Sequence, residues 1–248
     1  MLVEFVNKII ALAVPNALTV GKLEYVDKEM KLIKPPVPSV LPVSTLQGLV
    51  DLLAGSLEGV KAGTDLFVHI ESPFTVSLID RESDEFGRRQ VYATAQYPKE
   101  CPTFAFGTWH TPENFIIACQ QGFQRAMIQN DDGTFAKDLD YVIETASKIS
   151  ADSSVSNEDD GVTQRVNVMS GVTLKTSTAL QPRVALAPFR TFAEIDQIVS
   201  TFVFRARVQN GLVQLAIFEG DGGRWRLAAV AAIKAWLANQ ITKSPIIS

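Results

Sequence analysis

Two cysteines and two histidines set the first limits on what this 248-residue chain can do. Cys101 and Cys119 form neither a disulfide framework nor a metal-ligand spacing, and they read as reduced thiols. Neither His69 nor His110 has a second His or a Cys at ligand distance in sequence, so no zinc site is expected. There is no Gly-x-Ser-x-Gly elbow to present a serine nucleophile, and Cys119 lies on the apolar stripe of a helical pattern. Also missing are a Gly-Lys-Ser/Thr phosphate loop, a Gly-x-Gly-x-x-Gly fingerprint and any internal repeat. No apolar run approaches the ~18 residues that read as a membrane helix. The opening ten residues carry Glu4 and Lys8 without a basic lead, so a docking arm or short amphipathic helix is expected there rather than a signal peptide. No cofactor, no metal and no membrane partner is expected.

What is present is an ordinary globular composition, 46% hydrophobic and 20% charged, with a lopsided charge. From residue 161 onward there are 10 Lys+Arg and 4 Asp+Glu, a net of +6; residues 1–160 hold 13 and 23, a net of −10. The two add to the −4 of the whole chain. Such a split implies a surface that meets something anionic, or meets the acidic part of a neighbouring copy.

The pattern along the chain predicts an α+β fold: an N-terminal arm and β meander, a central helix pair, then C-terminal antiparallel hairpins and a terminal helix. Residues 1–60 are expected to form an arm, hairpin and short helix, and 61–248 a single domain with a sub-boundary near 150–160. Leu23–Val26 and Met30–Ile33 flank a polar turn. The prolines from Pro35 to Pro42 force extended backbone, as in a linker or an arm lying on another surface. Ser44 is expected to cap a helix running to Leu53. A three-residue loop at Glu71-Ser72-Pro73 would pair Ile70 with Phe74, Val68 with Val76 and Leu66 with Leu78, followed by a third strand over Arg88–Tyr97. Thr111-Pro112 starts a helix whose apolar spacing runs to Met127, and Thr134 starts a second. Ser150–Asp160 reads as a polar loop or boundary. A loop at Met169-Ser170-Gly171 would set Val168 against Val172. Asn210-Gly211 is a strong hairpin signal and pairs Val208 with Val213, Ala206 with Leu215 and Phe204 with Ile217. That register puts Arg205 and Arg207 on one face. Gly220-Asp221-Gly222-Gly223 reads as a tight turn needing positive φ before a helix over Trp225–Ile241.

The candidate anion- or partner-binding residues are Arg190, Arg205, Arg207, Arg224 and Arg226, with Phe189 beside them. Arginine outnumbers lysine in this region, and its planar fork suits carboxylate or phosphate. No catalytic residue is assigned. The carboxylate clusters at 80–85, 131–132 and 158–160 fall in predicted loops, where acidic groups are ordinarily solvated; a magnesium site would need them to converge.

Three stretches carry a resemblance to a family: Asp160-Gly-Val-Thr-Gln-Arg-Val-Asn-Val-Met-Ser-Gly-Val172, Leu186-Ala-Pro-Phe-Arg-Thr-Phe-Ala-Glu-Ile195 and Leu215-Ala-Ile-Phe-Glu-Gly-Asp-Gly-Gly-Arg-Trp225. In these the chain resembles the family called domain of unknown function 2303, with Gly220 where that pattern has Ala. The resemblance implies a bacteriophage or prophage protein in the bacterial cytoplasm, and it brings no activity and no catalytic residues. The expectation is a non-enzymatic phage accessory protein that self-assembles as a homo-oligomer or binds a host protein, in host takeover, counter-defence or a capsid-like assembly. The alternative is a single-strand nucleic-acid-binding accessory of replication or recombination. A metal-dependent nuclease or nucleotide hydrolase comes third.

Overall fold

The computed structural model describes residues 3–5, 18–20, 22–26, 31–32, 39–55, 65–98, 101, 103–125, 138–150, 154–159, 164–170, 173–210 and 212–248. The architecture is α+β, and the chain divides into two units: 1–39 with 82–90, and 40–81 with 91–248.

In the first unit, β1 (Leu18–Val20), β2 (Leu23–Val26) and β3 (Lys31–Leu32) make an antiparallel sheet in that order. The expected hairpin is the β2–β3 pair, with Tyr25 opposite Leu32; its turn lies outside the described residues. The loop 82–90 is closed by Asp84, whose carboxylate accepts the N–H groups of Phe86 and Arg88 and pairs with the Arg88 guanidinium at 2.7 Å. Burial works against the Asp84 carboxylate, but the Arg88 and Phe86 hydrogen bonds and the Arg88 charge win and lower its pKa.

The second unit contains β4 (Leu41–Val43), α1 (Leu46–Ala54), β5 (Leu66–Ser72), β6 (Thr75–Asp80) and β7 (Val91–Gln96). It continues with α2 (Pro112–Gly122), β8 (Phe123–Gln124), α3 (Leu139–Ser150), β9 (Ser154–Asp159), β10 (Gln164–Ser170) and β11 (Thr173–Leu180). It closes with β12 (Arg183–Pro188), β13 (Ser200–Gln209), β14 (Leu212–Glu219), α4 (Trp225–Gln240) and β15 (Ile246–Ile247).

One sheet has the order β15-β5-β6-β7-β4. Its central meander is antiparallel, and its two edges are short parallel strands from distant parts of the chain. Pro42 fits β4 because an edge strand can spare a donor. The meander register differs from expectation by two residues: Val68 faces Leu78 and Ile70 faces Val76. The turn is tighter, with Ser72 opposite Thr75, and a register shift absorbs Glu71. A slip of two keeps every side chain on its own face, so Val68 and Ile70 keep apolar partners while Leu66 comes to face Asp80. The third strand is shorter than expected, since 82–90 belongs to the other unit. Helix α1 is capped by Thr45, not Ser44: the Thr45 hydroxyl accepts the Gly48 N–H. Leu46 and Leu49 of α1 and Ile233 and Leu237 of α4 share a core with Val68 and Leu78.

A second sheet has the order β14-β13-β12-β8, and its core joins Phe202, Phe204 and Ala206 to Phe115 and Cys119 of α2 and Val142 and Ala146 of α3. The Asn210 hairpin has the expected pairs, and Asn210 sits at φ 53°. Helix α2 corrects the longer helix expected from periodicity. It stops at Gly122, and Phe123 turns extended (φ −131°, ψ 140°) to pair with Pro188. Gly122 lies so close to Phe104 that an added Cβ would come within 2.9 Å of the Phe104 Cβ. Helix α3 buries Leu139, Val142 and Ala146 along one face, while the expected helix start at Thr134 lies outside the described residues.

The third sheet, β11-β10-β9, corrects two expectations. Ser154–Asp159 is not a loop but a strand paired with β10. The β10–β11 hairpin turns later than expected, so Val168 faces Thr176 and Val166 faces Thr178, with a register shift after Val168. No described helix is long and apolar enough to cross a membrane.

Candidate functional site: an arginine-lined groove at the start of the last helix

The site begins with strand alternation. Along β13, Phe202, Phe204 and Ala206 point into the core, which sends Thr201, Val203, Arg205 and Arg207 to the other face. Along β12, buried Val184 and Leu186 leave Arg183 and Ala185 on that face, and Arg183 stands opposite Val203. The Gly220–Gly223 turn then lifts the chain off β14 into α4, with Gly222 and Gly223 at φ 64° and 81°, as the glycine pattern predicts. Between the sheet face and the first turn of α4 lies an open groove of about 720 Å³, whose walls include Arg183, Thr201, Val203, Asp221, Arg224 and Trp225.

Arg190 anchors the groove from below. Its side chain is only 7% exposed; it meets Glu219 at 3.1 Å and Asp221 at 4.0 Å, and it donates to the Ser200 hydroxyl. The guanidinium lies 3.9 Å from the Trp225 ring centre and 5.5 Å from that of Phe202. The loop that presents it is held by Gln197, which accepts the Arg190 N–H and donates to the Phe192 and Ile195 carbonyls. Burial pushes the Arg190 pKa down to about 10 against the pull of Asp221 and Glu219, which leaves it charged at neutral pH.

Asp221 does two jobs. Its carboxylate accepts the N–H of Gly223 and, at 3.4 Å, that of Trp225, which ties the glycine turn to the first residue of α4, while the N-cap position itself is held by Arg224 without a side-chain cap. Burial raises its pKa, but the Gly223, Ser200 and Trp225 hydrogen bonds and the Arg190 charge outweigh that and hold it below the usual carboxylate value. The glycine turn therefore presents no vacant nest of amides to a phosphate: the chain's own carboxylate is seated on them.

The predicted residues do not gather at one place. Arg224 is exposed on the groove wall. Arg226 is exposed beside it, 5.8 Å from the Trp225 ring. Arg190 is the buried anchor. Phe189 is half-buried and gives its N–H to the Gly122 carbonyl. Arg205 sits opposite Ala216 on the outward face. Arg207 lies further along that face, donating to Gln214 at 2.8 Å and stacked 4.2 Å over Trp109, which meets Phe218 edge-on. Sequence reasoning missed Arg183 as a groove residue, Asp221 as the acceptor that ties the glycine turn to α4 and Trp109 as a platform. An Asp followed by two glycines was the readable sign of that turn, since an Asp side chain readily accepts the N–H two residues on. Nothing in the sequence brings Trp109 to Arg207.

The groove offers cationic and aromatic groups suited to binding. His110 bridges Leu215 through its backbone and packs its ring near Phe104 and Phe115. Cys119 is fully buried, and burial drives its thiol pKa upward. Glu219 and Asp221 are committed to Arg190, and among the described residues no group of three or more His, Cys, Asp or Glu could hold a metal ion. No protein-family model, curated protein or solved structure matches this chain.

Proposed function

We propose that this chain is a non-enzymatic bacteriophage or prophage accessory protein that works in the bacterial cytoplasm by binding protein, with self-association as its principal mode. One observation carries the reading. Arg183 and Arg224 line an open groove without an ion-pair partner among the described residues, while the nearest carboxylates are already engaged by Arg190. The chain also carries a counterpart for that groove, since residues 1–160 hold a net charge of −10. A host protein with an acidic segment is the other occupant of this reading.

The test is the solution mass by light scattering at low and high salt, with absorbance at 260 and 280 nm. A defined oligomer free of nucleic acid, weakened by salt, is the expected result. A single chain under all conditions refutes self-association.

A second reading, single-strand nucleic-acid binding, is favoured by one feature: Arg207 stacked on Trp109 beside Phe218, an arginine–aromatic platform on a sheet face. It requires salt-dependent oligonucleotide binding that Trp109→Ala weakens by roughly 1–3 kcal/mol, the worth of one base stack. Absence of binding at low salt eliminates it.

A further inference from the structure

We infer that the groove beside α4 receives an acidic segment of a second copy of this chain. The inference rests on the self-association proposed above and names the surface that carries it.

The groove has the right charge and room. Arg183 and Arg224 are exposed on its walls, and the lining also includes small residues, Ala185, Thr201, Gly220 and Ala228, that leave space for an extended segment. Its one carboxylate, Asp221, is already bound by the Gly223 and Trp225 amides and by Arg190, so little uncompensated negative charge repels an incoming acid.

A second observation is independent of the charges. Trp225 lines the groove and is 95% buried (5% exposed), yet its indole Nε1 has no acceptor among the described residues. Behind it, the Nε of Arg190, stacked on the same indole, also lacks one among the described residues. Buried donors are nearly always satisfied, and this leftover indole N–H belongs to a residue that lines the groove and calls for an acceptor. A carboxylate oxygen is such an acceptor, and it suits a site flanked by two guanidinium groups.

The third observation is complementarity. Residues 113–160 hold 10 carboxylates against 3 basic groups. A basic groove that meets a different, acidic part of its neighbour is a heterologous contact. Repeated head to tail, such contacts close into a ring or extend as a filament; made reciprocally, groove to acidic segment and back, they give a two-fold pair.

The experiment compares the full chain with Arg183→Glu/Arg224→Glu and Arg183→Lys/Arg224→Lys by light scattering at low salt, with far-ultraviolet circular dichroism as the folding control. The expected result is an oligomer for the parent and the lysine pair, and a single-chain mass for the glutamate pair with an unchanged spectrum. An oligo-glutamate peptide added to the parent chain should also dissociate it and change the emission of Trp225, read against Trp225→Phe. This arm decides the matter should the glutamate pair fail to fold. An oligomer of unchanged mass in the folded glutamate pair, or one indifferent to the peptide, overturns the groove assignment and leaves self-association standing. A parent that is a single chain throughout removes both. Nucleic acid that accompanies the parent and is absent from the glutamate pair overturns the inference by naming a different occupant.

Discussion

Replacing Arg190 by Met should cost the fold about 3–5 kcal/mol. Methionine roughly keeps the volume between Trp225 and Phe202 while removing the charge, so the change isolates electrostatics from packing. In the parent, the guanidinium reaches Glu219 at 3.1 Å, Asp221 at 4.0 Å and the Ser200 hydroxyl. Glu219 is 43% exposed and can turn to solvent, whereas the Asp221 side chain is only 12% exposed and cannot. Breaking a buried pair by removing one partner typically costs about 3–5 kcal/mol, because the remaining charge is uncompensated. Losing the stack on Trp225 adds about 0.5–2 kcal/mol, and the Gly223 and Trp225 amides still soften the loss at Asp221. The total stays near the upper part of the single-pair range. At about 2–4 °C per kcal/mol for a domain of this size, the melting temperature should fall by roughly 10 °C. Urea unfolding followed by tryptophan emission measures it. Arg190→Met/Asp221→Asn removes both charges, and it should recover about 1–3 kcal/mol of the single variant's loss. A single variant within about 1 kcal/mol of the parent, or a double variant no better than the single, would falsify the view that Arg190 and Asp221 lock the start of α4 to the sheet.

The acid limb of stability should carry the Asp221 signature. Its folded pKa lies below the unfolded value of 3.8, so its stabilisation is present above that pH and is lost as pH falls through the folded value. Asp221→Asn should flatten that part of a melting-temperature profile, and an unchanged slope contradicts the assignment. Gly122→Ala should destabilise by about 1–3 kcal/mol, since its Cβ would meet Phe104 at 2.9 Å; a neutral result in thermal unfolding would mean that the α2–Phe104 contact yields easily. Thiol titration should find Cys119, fully buried and with its thiol pKa raised by burial, inert in the native state and reactive after unfolding. Rapid modification of both cysteines in the native chain contradicts that core. Truncating the exposed Lys148–Glu144 pair, 60% and 66% exposed, should change stability by less than about 0.5 kcal/mol in the same assay.

Alternation and local turn chemistry were enough to place the Asn210 hairpin, the glycine turn and α4, because each depends on residues close in sequence. The alternation of β13 alone puts Arg205 and Arg207 on the face away from the core. Helix periodicity failed at Gly122 because the stop is imposed from outside, by the pairing of Phe123 with Pro188 and the approach of Phe104. The meander register slipped by two because alternating apolar residues score equally well in either register, and only the turn's own geometry decides between them. The strand character of Ser154–Asp159 had no apolar alternation to announce it; it follows from pairing with β10.

The sequence by itself determined the α+β class, the inward and outward faces of β13, the Asn210 turn and the scarcity of groups for nucleophilic or zinc chemistry. All of these are local or compositional properties, set by backbone conformation and side-chain type. The tertiary structure alone decided which arginines are exposed and which are already engaged. Arg190 and Arg224 look alike in the chain, yet one is stacked under Trp225 with two carboxylates and the other stands on a groove wall. Charge and periodicity carry no information on that choice, because a guanidinium's role depends on which distant carboxylates and rings the fold brings within a few ångströms of it.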